Sequence, residues 1–489
     1  MLSEELIELA NKISKQKAES QTLEAKAAHQ GCPRRLYDTL SAFSNQDSGG
    51  VILFGLDESK NFEIVGVYDL QDLQKKVTEQ CNQMIPPVRA VFTAAELDGK
   101  YLCAAEIPSI DITERPCYYS GSGRSKGAYI RVGDADLPMT DYEIYNYEAF
   151  RRHQHDDERA VERADISLLD TDQLQDYLMR MRRERPGFSR LSPEEAYEML
   201  AVTRDGKPTL AAILNFALYP QGYFPQLAIT AVVVPGREIG ELGPGTERFV
   251  NNKRIEGTLQ TMLNESITFC LRNMKIRTVI DSNTGERTDI PEYPIEAIRE
   301  AVLNALIHRD YSHFTEGTPI QIGFFADRLE IRSPGGLYGR MTVEDLGKAR
   351  PDLRNPALAA MSEFLLHTEN RYSGIPTIRR EMAALCLPEP VFVNQRNEFI
   401  VILYNGSQTV PYKAVSEQTV QTVDKKLLNY CKTPRSRKEI AEFLGISTVY
   451  YVTQHYIRPL LEGGKLKMTI PEKPKSRNQK YYCTPEPQD

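Results

Sequence analysis

Residues 293–311 read YPIEAIREAVLNALIHRDY, and this segment carries the most information about the fold. Its apolar residues recur at intervals of three and four, which predicts an amphipathic helix with one face in a protein core. Glu300, Asn304 and His308 stand at positions i, i+4 and i+8, so they share another face of that helix. A carboxylate can orient and deprotonate a water, and an amide oxygen can ligate Mg²⁺. Spacing alone nevertheless favours a solvated polar face.

A glycine-rich turn follows the predicted helix. Residues 327–337 read DRLEIRSPGGL, which predicts a strand running into a turn at Gly335 and Gly336. Glycines at such a turn let the backbone approach a phosphate or a base closely. Together with EAVLNALIHRDY, this run resembles the divergent GHKL ATPase module of bacterial AlbA-type predicted transcriptional regulators, over roughly residues 290–405.

The resemblance implies an ATP pocket of the Bergerat type, as in gyrase B and MutL. Glu300 would then activate a water, Asn304 would ligate Mg²⁺, and the glycine pair would line the adenine side. The nucleotide-binding residues that the resemblance implies are Asn304, His308, Ser333, Gly335, Gly336, Arg354, Asn355 and Gly374. Two of them depart from the usual pattern: Ser333 replaces an acidic or amide residue, and Gly374 is a single glycine where the later loop usually has more. We therefore expect weak ATP binding and slow hydrolysis.

The first 150 residues contain a second set of motifs in a specific order. The motifs are ESQTLEAK at 19–26, SAFSN at 41–45, a glycine pair at 49–50, RPCYY at 115–119 and GAYIRVG at 127–133. This order resembles the AlbA-type Schlafen domain over roughly residues 15–150. The segment 45–49 is one residue longer than the turn usual in that family. The resemblance implies an α+β domain that binds nucleic acid.

Acidic residues in this front part leave two interpretations open. Glu19, Glu24 and either Asp57 or Glu58 could hold Mg²⁺ or Mn²⁺ and cleave RNA, as the Schlafen nucleases do with matching carboxylates. Lys26 would then steady a phosphate. Alternatively, Glu24 and Lys26 pair on one face of a strand, and the domain binds nucleic acid without cutting it. We favour binding over cleavage.

Cations and tyrosines in the front part suit contacts with nucleic acid, because Lys and Arg reach phosphates and tyrosine rings stack on bases. The alternative for the loop at 115–126 is a hairpin without a ligand. The residues that we expect to contact nucleic acid are Lys26, Arg115, Tyr118, Tyr119, Arg124, Lys126 and Arg131.

The last 65 residues are basic and predict a winged helix-turn-helix. A helix at 435–445, a second helix at 448–461 and a hairpin beginning near residue 465 give the order of that fold. Residues 425–482 hold 13 Lys and Arg against 4 Asp and Glu, which indicates a nucleic-acid footprint. The alternative is a winged helix used for dimerisation. The cations expected at nucleic acid are Arg435, Arg437, Lys438, Lys473, Lys475, Arg477 and Lys480.

Length and composition frame these assignments. The chain has 489 residues, which predicts several domains, and its net charge of −7 argues against a general basic coat for nucleic acid. The mixture of predicted helices and strands indicates an α+β multidomain protein. We expect a Schlafen/AlbA-like domain at 1–155, a middle α/β region at 156–286, a GHKL-type α/β sandwich at 287–408 and the winged helix at 409–489. A charged linker helix is expected at 151–164.

Targeting and cysteine patterns predict a cytoplasmic protein. The eight cysteines are scattered without a C-x-x-C pair, so neither a zinc framework nor a disulfide scaffold is expected. The acidic N-terminus does not resemble a signal peptide, and no apolar run reaches membrane-spanning length.

The leading hypothesis is an ATP-binding, nucleic-acid-binding regulator in which nucleotide state biases the domain arrangement. DNA is favoured over RNA as the partner, Mg²⁺ as the metal, and a homo-oligomer as the assembly. One alternative is a metal-dependent Schlafen-like nuclease that acts in antiviral defence. Another is a structural assembly protein with decayed sites.

Overall fold

The computed structural model describes residues 1–280, 287–366, 373–395 and 397–406, and in the C-terminal part residues 427, 430–443, 457, 460–461, 466–470 and 479–483. Over these residues the protein has mixed helices and sheets, which confirms the predicted α+β class. No helix among them is long and apolar enough to cross a membrane.

A four-stranded sheet forms the centre of the front part. Its strand order is β1-β2-β7-β6, with β1 parallel to β2 and the other pairs antiparallel. The elements of the front part are α1 (Ser3–Gln16), β1 (Leu23–Lys26), α2 (Tyr37–Ser44), β2 (Gly50–Phe54), β3 (Leu56–Asp57), β4 (Glu63–Ile64), α3 (Leu70–Asn82), β5 (Met84–Ile85), β6 (Val91–Leu97), β7 (Lys100–Ile107), β8 (Tyr118–Tyr119), α4 (Arg124–Gly127), β9 (Tyr129–Val132), β10 (Ala135–Pro138) and α5 (Asp141–Arg152).

Both faces of this sheet are buried. Along β2, Ile52 and Phe54 belong to the hydrophobic cluster that α2 and α3 complete, whereas Leu53 belongs to the cluster with α1. This follows from the alternation of side chains along a strand. The turn between β6 and β7 falls on Asp98 and Gly99, both with positive φ, as a two-residue hairpin turn requires.

The helix that leaves the front part lies earlier than expected. It is α5, which begins after Thr140 and ends at Arg152. Thr140 and Glu143 form a capping box at its start, and His153 in a left-handed conformation ends it. The predicted linker helix at 151–164 is therefore wrong, because residues 153–164 continue with a short 3₁₀ turn at Asp156–Glu158.

A six-stranded sheet lies at the centre of the part of the chain that follows α5 and ends at β20. Its order is β14-β13-β17-β18-β20-β19, and only β13 and β17 are parallel. The elements are α6 (Thr171–Glu184), α7 (Pro193–Met199), β11 (Thr203–Arg204), β12 (Lys207–Pro208), α8 (Leu210–Phe216), β13 (Ile229–Val233), β14 (Asn251–Ile255), α9 (Leu259–Asn273), β15 (Ile276–Ile280), β16 (Arg287–Pro291), α10 (Ile295–Ile307), β17 (Ile320–Phe324), β18 (Arg328–Pro334), α11 (Pro356–Leu365), α12 (Gly374–Ala384), β19 (Val391–Asn394) and β20 (Glu398–Tyr404).

The boundary expected between residues 286 and 287 divides this sheet. β13 and β14 come from the region expected to be separate, yet β13 pairs with β17 over its whole length. One continuous hydrophobic core also extends from Val161 to Leu403. The middle region and the region expected to bind nucleotide therefore fold around a single core.

The described C-terminal residues include a small three-stranded sheet and a helix that is described over its length. The elements are β21 (Arg435–Ser436), α13 (Arg437–Phe443), β22 (Leu466–Met468) and β23 (Lys480–Cys483), with strand order β21-β23-β22. The helix predicted at 448–461 falls mostly outside the described residues, as do Lys473, Lys475 and Arg477 of the predicted wing. The winged helix therefore stays a prediction.

Candidate nucleotide-binding site

Side chains from elsewhere in the chain complete the C-terminal end of α10. The last carbonyls of a helix lack partners within the helix. Ser333 Oγ donates to Ala305 O at 3.0 Å, Tyr311 Oη donates to Leu306 O at 2.7 Å, and Asn355 Nδ2 donates to Ile307 O at 2.8 Å. These bonds fix α10 against β18 and against the start of α11.

Asn355 has a different role from the one expected. Its amide also donates to Arg309 O at 2.7 Å, and the residue is 1% exposed. It does not line the cavity described below. The expectation that Asn355 contacts nucleotide is therefore wrong in this structure, because its amide hydrogens are committed to backbone carbonyls.

A cavity of about 510 Å³ opens beside α10. Its volume lies in the range typical of small-molecule sites. Among its lining residues are eight that the sequence singled out, namely Glu300, Asn304, His308, Ser333, Gly335, Gly336, Arg354 and Gly374. The fold thus brings residues from α10, β18, the segment before α11 and the start of α12 to one place.

The polar end of the cavity is formed where α12 begins. A Cβ on Gly374 would lie 2.9 Å from Glu300 Oε2 and 3.0 Å from Asn304 Nδ2, so this close approach requires glycine. Among the residues that the structure describes, the N-cap residue Ser373 makes no side-chain capping bond at the start of α12. A helix N-terminus attracts anions such as phosphate. Burial raises the pKa of Glu300, which suits a carboxylate that exchanges a proton.

His308 lies one helical turn beyond Asn304. Its ring is accessible to solvent through the cavity, yet the enclosure of the site and the nearby guanidinium of Arg354 lower its pKa to about 4. The imidazole is therefore neutral near pH 7, and it can donate one hydrogen bond and accept another.

The lining of the cavity also includes apolar side chains, among them Ile331, Leu346 and Val401. Ser333 is a polar residue of the same lining, and it is buried. Because its hydroxyl proton is used by Ala305 O, the oxygen faces a ligand only as an acceptor.

Arg354 closes one side of the cavity. Its Nη2 donates to Gly336 O at 3.2 Å, and its guanidinium lies 5.0 Å from the centre of the Tyr338 ring. Gly335 has φ +91, and a Cβ there would collide with Arg354 Nη1 and Asp310 Cβ. Glycine at 335 therefore allows Arg354 to lie against the turn.

Glu19 and Glu24 converge in the front part, although they are five residues apart. A tight turn between Ser20 and Leu23 reverses the chain and brings the two carboxylates to the same cation. Arg131 Nη2 lies 2.7 Å from Glu24 Oε2 and 3.3 Å from Glu19 Oε2. Its side chain is 1% exposed, so it cannot reach a phosphate, and the expected nucleic-acid contact of Arg131 is wrong in this structure.

The pKa values of the two carboxylates are shifted in opposite directions. Burial and the neighbouring Glu24 carboxylate raise the pKa of Glu19 to about 7, against the Ala25 amide that lowers it. Burial also acts to raise the pKa of Glu24, but Lys26, which pairs with it, and Arg131 outweigh burial and lower it. The pair therefore belongs to an internal ion cluster.

Asp57 makes separate contacts. Its Oδ1 accepts from Ser59 N at 3.1 Å and Ser59 Oγ at 2.6 Å, and Lys60 lies 3.9 Å from Oδ2. Within the described ranges no group of three or more His, Cys, Asp and Glu side chains could hold a metal ion. The described geometry therefore offers no carboxylate site for Mg²⁺ or Mn²⁺ in the front part.

The loop at 115–126 is more tightly packed than expected. Arg115 has a side chain only 7% exposed, lies 2.8 Å from Asp47 and donates to Ile110 O, so its expected phosphate contact is also wrong in this structure. Tyr119 stacks on Tyr37 with ring centres 3.7 Å apart. Lys126 remains exposed.

Arg124 and Tyr118, which were also expected to contact nucleic acid, contact other parts of the protein. Arg124 pairs with Glu148 and lies over the Tyr118 ring at 5.5 Å.

Among the described C-terminal cations, two arginines contact other residues and two lysines are exposed. Arg435 lies 3.7 Å from Glu439, and Arg437 donates to Tyr481 Oη at 2.7 Å. Lys438 and Lys480 are exposed and can reach a phosphate.

Three family models match separate parts of the chain. Residues 19–140 match the model described as "Schlafen, AlbA_2", and residues 317–403 match HATPase_c_4, described as "Putative ATP-dependent DNA helicase recG C-terminal". The chain contains a Schlafen AlbA_2 domain and a HATPase_c_4 domain. Residues 422–484 match "Filamentation induced by cAMP protein Fic-like, C-terminal domain".

Two solved structures are similar to the chain. The DIP2311 protein from Corynebacterium diphtheriae is 20% identical, with a TM-score of 0.40, over 98% of this chain and 97% of that chain. The N-terminal domain of a "Putative ATP-dependent DNA Helicase RecG-related Protein" from Nitrosomonas europaea is 27% identical, with a TM-score of 0.23, over 29% of this chain and 94% of that chain. No curated protein matches the chain.

The HATPase_c_4 match begins downstream of α10. It includes Ser333, Arg354 and Gly374, whereas Glu300 and Asn304 precede it. The cavity geometry, and not the family match, joins α10 to the site. The Schlafen AlbA_2 match ends at residue 140, so α5 is the segment by which the chain leaves that domain.

The geometry also adds residues that sequence reasoning missed. Asp310 belongs to the quoted run IHRDY, yet only the fold places it against Arg354. Tyr142 bonds to Asp310 from 168 residues away and carries no signal in the sequence.

Proposed function

We propose that this chain is a regulator that binds ATP with Mg²⁺ in the cavity beside α10 and binds nucleic acid through its Schlafen AlbA_2 domain and its C-terminal part. The observation that carries the proposal is the convergence of eight sequence-selected residues on one cavity of suitable size. In this proposal, nucleotide occupancy favours one arrangement of the domains, and DNA is the expected nucleic acid. Self-association is part of the same proposal.

The polar end of the cavity supports a triphosphate. The N-terminus of α12, where Ser373 makes no capping bond, suits a phosphate, the amide oxygen of Asn304 suits Mg²⁺, and the carboxylate of Glu300 suits the orientation of a water. The apolar side chains of the lining support a base, with the acceptor oxygen of Ser333 available to a base amine. A hydroxyl oxygen is a weaker acceptor than a carboxylate, so binding is expected to be weak and turnover slow.

A few exposed lysines support contacts with the phosphates of nucleic acid. Lys126 in the front domain and Lys438 and Lys480 in the C-terminal part are exposed, and residues 425–482 carry an excess of cations. Contacts to phosphates give affinity that falls as salt concentration rises.

RNA cleavage is not proposed. Both carboxylates at the turn are bound to Arg131, and Glu24 also pairs with Lys26. A metal would have to displace a buried guanidinium before it could bind there.

Fluorescence anisotropy with labelled duplex DNA tests the proposed regulation. We expect MgATP to change the dissociation constant for DNA about fivefold or more in the full-length chain, the usual size of a coupling between two sites. Asn304→Ala should remove this effect. Asn252→Ala, an exposed amide on β14, is the matched control and should keep it. DNA affinity that is the same with and without MgATP would overturn the regulatory proposal.

A further inference from the structure

The second half of α6 and the segment after it carry a dense group of arginines. Residues 177–193 read YLMRMRRERPGFSRLSP, with five arginines and a single acidic residue, Glu184. The helix ends at Glu184, and a 3₁₀ turn follows at Pro186–Arg190. The chain as a whole is acidic, with a net charge of −7, so this segment departs from its average composition. The five arginines are Arg180, Arg182, Arg183, Arg185 and Arg190.

The fold places this group against the C-terminal end of α11. Arg180 Nη1 donates to Phe364 O at 3.2 Å, and the guanidinium of Arg185 lies 5.8 Å from the centre of the Phe364 ring. Arg183 shares a helix face with Arg180, since the two are three residues apart on α6. Two helix ends and three of the arginines therefore meet at one place.

Four of the five arginines are exposed, and the exception is Arg182. Arg182 is half-buried, and its Nη2 donates to Leu191 O at 3.0 Å, which holds the segment that carries Arg190 against α6. Within the part of the chain that the structure describes, none of the five forms an ion pair. The exposed arginines are Arg180, Arg183, Arg185 and Arg190.

The fold itself uses only part of this positive charge. The C-terminal end of a helix carries about half a negative elementary charge, so the ends of α6 and α11 together offset about one of the five guanidinium charges. The exposed acidic residues nearest in sequence to this group and to Phe364 are Asp176, Glu184 and Glu363, and among the described contacts none of them pairs with an arginine of the group. Most of the charge therefore faces solvent, where like charges repel one another.

We propose that the arginine surface, formed by Arg180, Arg183, Arg185 and Arg190, is a further nucleic-acid contact of this chain and binds the phosphate backbone. All of its cations are arginines, and the planar guanidinium group offers two parallel hydrogen bonds to phosphate oxygens, which the ammonium group of lysine does not. Phe188 lies between Arg185 and Arg190 in the sequence, and its half-buried ring is of the kind on which bases stack.

The inference rests on the proposed function, since it concerns the same partner, and it adds a surface between the two parts of the chain proposed to bind nucleic acid. Arg115 and Arg131 of the front domain are buried, so they leave phosphate contacts to other cations. The end of α11 also contacts the cavity wall, because Arg299, which lines the cavity, donates to Leu366 O at 3.0 Å.

Fluorescence anisotropy of the full-length chain with labelled duplex DNA, over a series of salt concentrations, tests the inference. The triple variant Arg183→Gln, Arg185→Gln, Arg190→Gln removes three proposed phosphate contacts and leaves Arg180, which also caps α11. Each contact contributes about 0.9 to the slope of log affinity against log salt, so the slope should become shallower by about two to three. The dissociation constant should rise about tenfold or more at low salt.

The triple variant Arg248→Gln, Arg272→Gln, Arg277→Gln is the matched control. These three arginines are exposed, lie outside the arginine surface, and their replacement changes the net charge by the same amount. Its salt slope should stay that of the unmodified chain. Equal slopes for the two triple variants would overturn the inference and leave nucleic-acid binding intact.

Binding to phosphatidylserine vesicles distinguishes a second polyanionic partner. If the Arg183, Arg185 and Arg190 replacements abolished vesicle binding while the affinity for DNA stayed unchanged, the surface would belong to a membrane and the inference would be overturned. Absence of DNA binding by the unmodified chain at low salt would instead overturn the proposed function.

Discussion

Gly374→Ala separates the stability of the fold from the function of the cavity. The added Cβ would lie 2.9 Å from Glu300 Oε2 and 3.0 Å from Asn304 Nδ2, whereas ordinary contacts begin at 3.4 Å. Both side chains must therefore withdraw by about 0.5 Å. The atoms that move are the ends of flexible side chains, so the clash is relieved at low cost.

The two effects of the substitution have opposite signs. Gly374 is the first residue of α12, and replacing glycine with alanine in a helix stabilises by up to about 1 kcal/mol. Displacing a metal ligand or its neighbour weakens metal binding about ten- to hundredfold, since Mg²⁺ requires near-ideal geometry. We therefore expect an unchanged or raised Tm together with a dissociation constant for MgATP raised about tenfold or more.

Scanning calorimetry and titration calorimetry on the same preparation measure both quantities. Gly317→Ala is the control, because a Cβ at that position meets nothing within 4 Å. Unchanged MgATP affinity in Gly374→Ala would refute the placement of Glu300 and Asn304 at the metal and phosphates.

Three further predictions concern charge. Arg131→Met should destabilise the front domain by about 3–5 kcal/mol in urea unfolding, because it removes the buried guanidinium that pairs with Glu19, Glu24 and Asp136, whereas Arg35→Met at an exposed pair should cost at most about 1 kcal/mol. Burial raises the pKa of Asp157 to about 7, so the folded state holds a proton that the unfolded state releases. The contribution of Asp157 to the free energy of unfolding therefore falls as pH rises from about 4 to 7. Asp157→Asn should flatten this pH dependence, and an unchanged slope would refute the assignment. Replacing Lys438 and Lys480 by Ser should weaken DNA binding and reduce its salt dependence, and identical salt slopes would remove these lysines from the interface.

Local patterns predicted the elements that local physics determines. The β6–β7 turn falls on Asp98-Gly99, a dipeptide typical of tight hairpins, and α10 follows from its apolar spacing. The grouping of Glu300 with Asn304 on one helix face needed only the helical repeat. These features depend on residues close together in the chain.

The wrong predictions concern features that depend on residues far apart in the sequence. β13 pairs with β17 across about ninety residues, so the sequence did not reveal that one sheet spans the expected boundary. Arg131 has the chemistry of a phosphate ligand, and only the fold shows that Glu19 and Glu24 enclose it. Asn355 was likewise assigned by motif, while the orphan carbonyls of α10 determine its contacts.

Titration calorimetry of the full-length chain with ATP tests the central claim most directly. The account predicts saturable binding at one site in the presence of Mg²⁺, clearly weaker binding in EDTA, and no Mg²⁺-dependent binding in Asn304→Ala. Absence of heat up to millimolar ATP, or the same heat in EDTA and in Asn304→Ala, would contradict a nucleotide site beside α10.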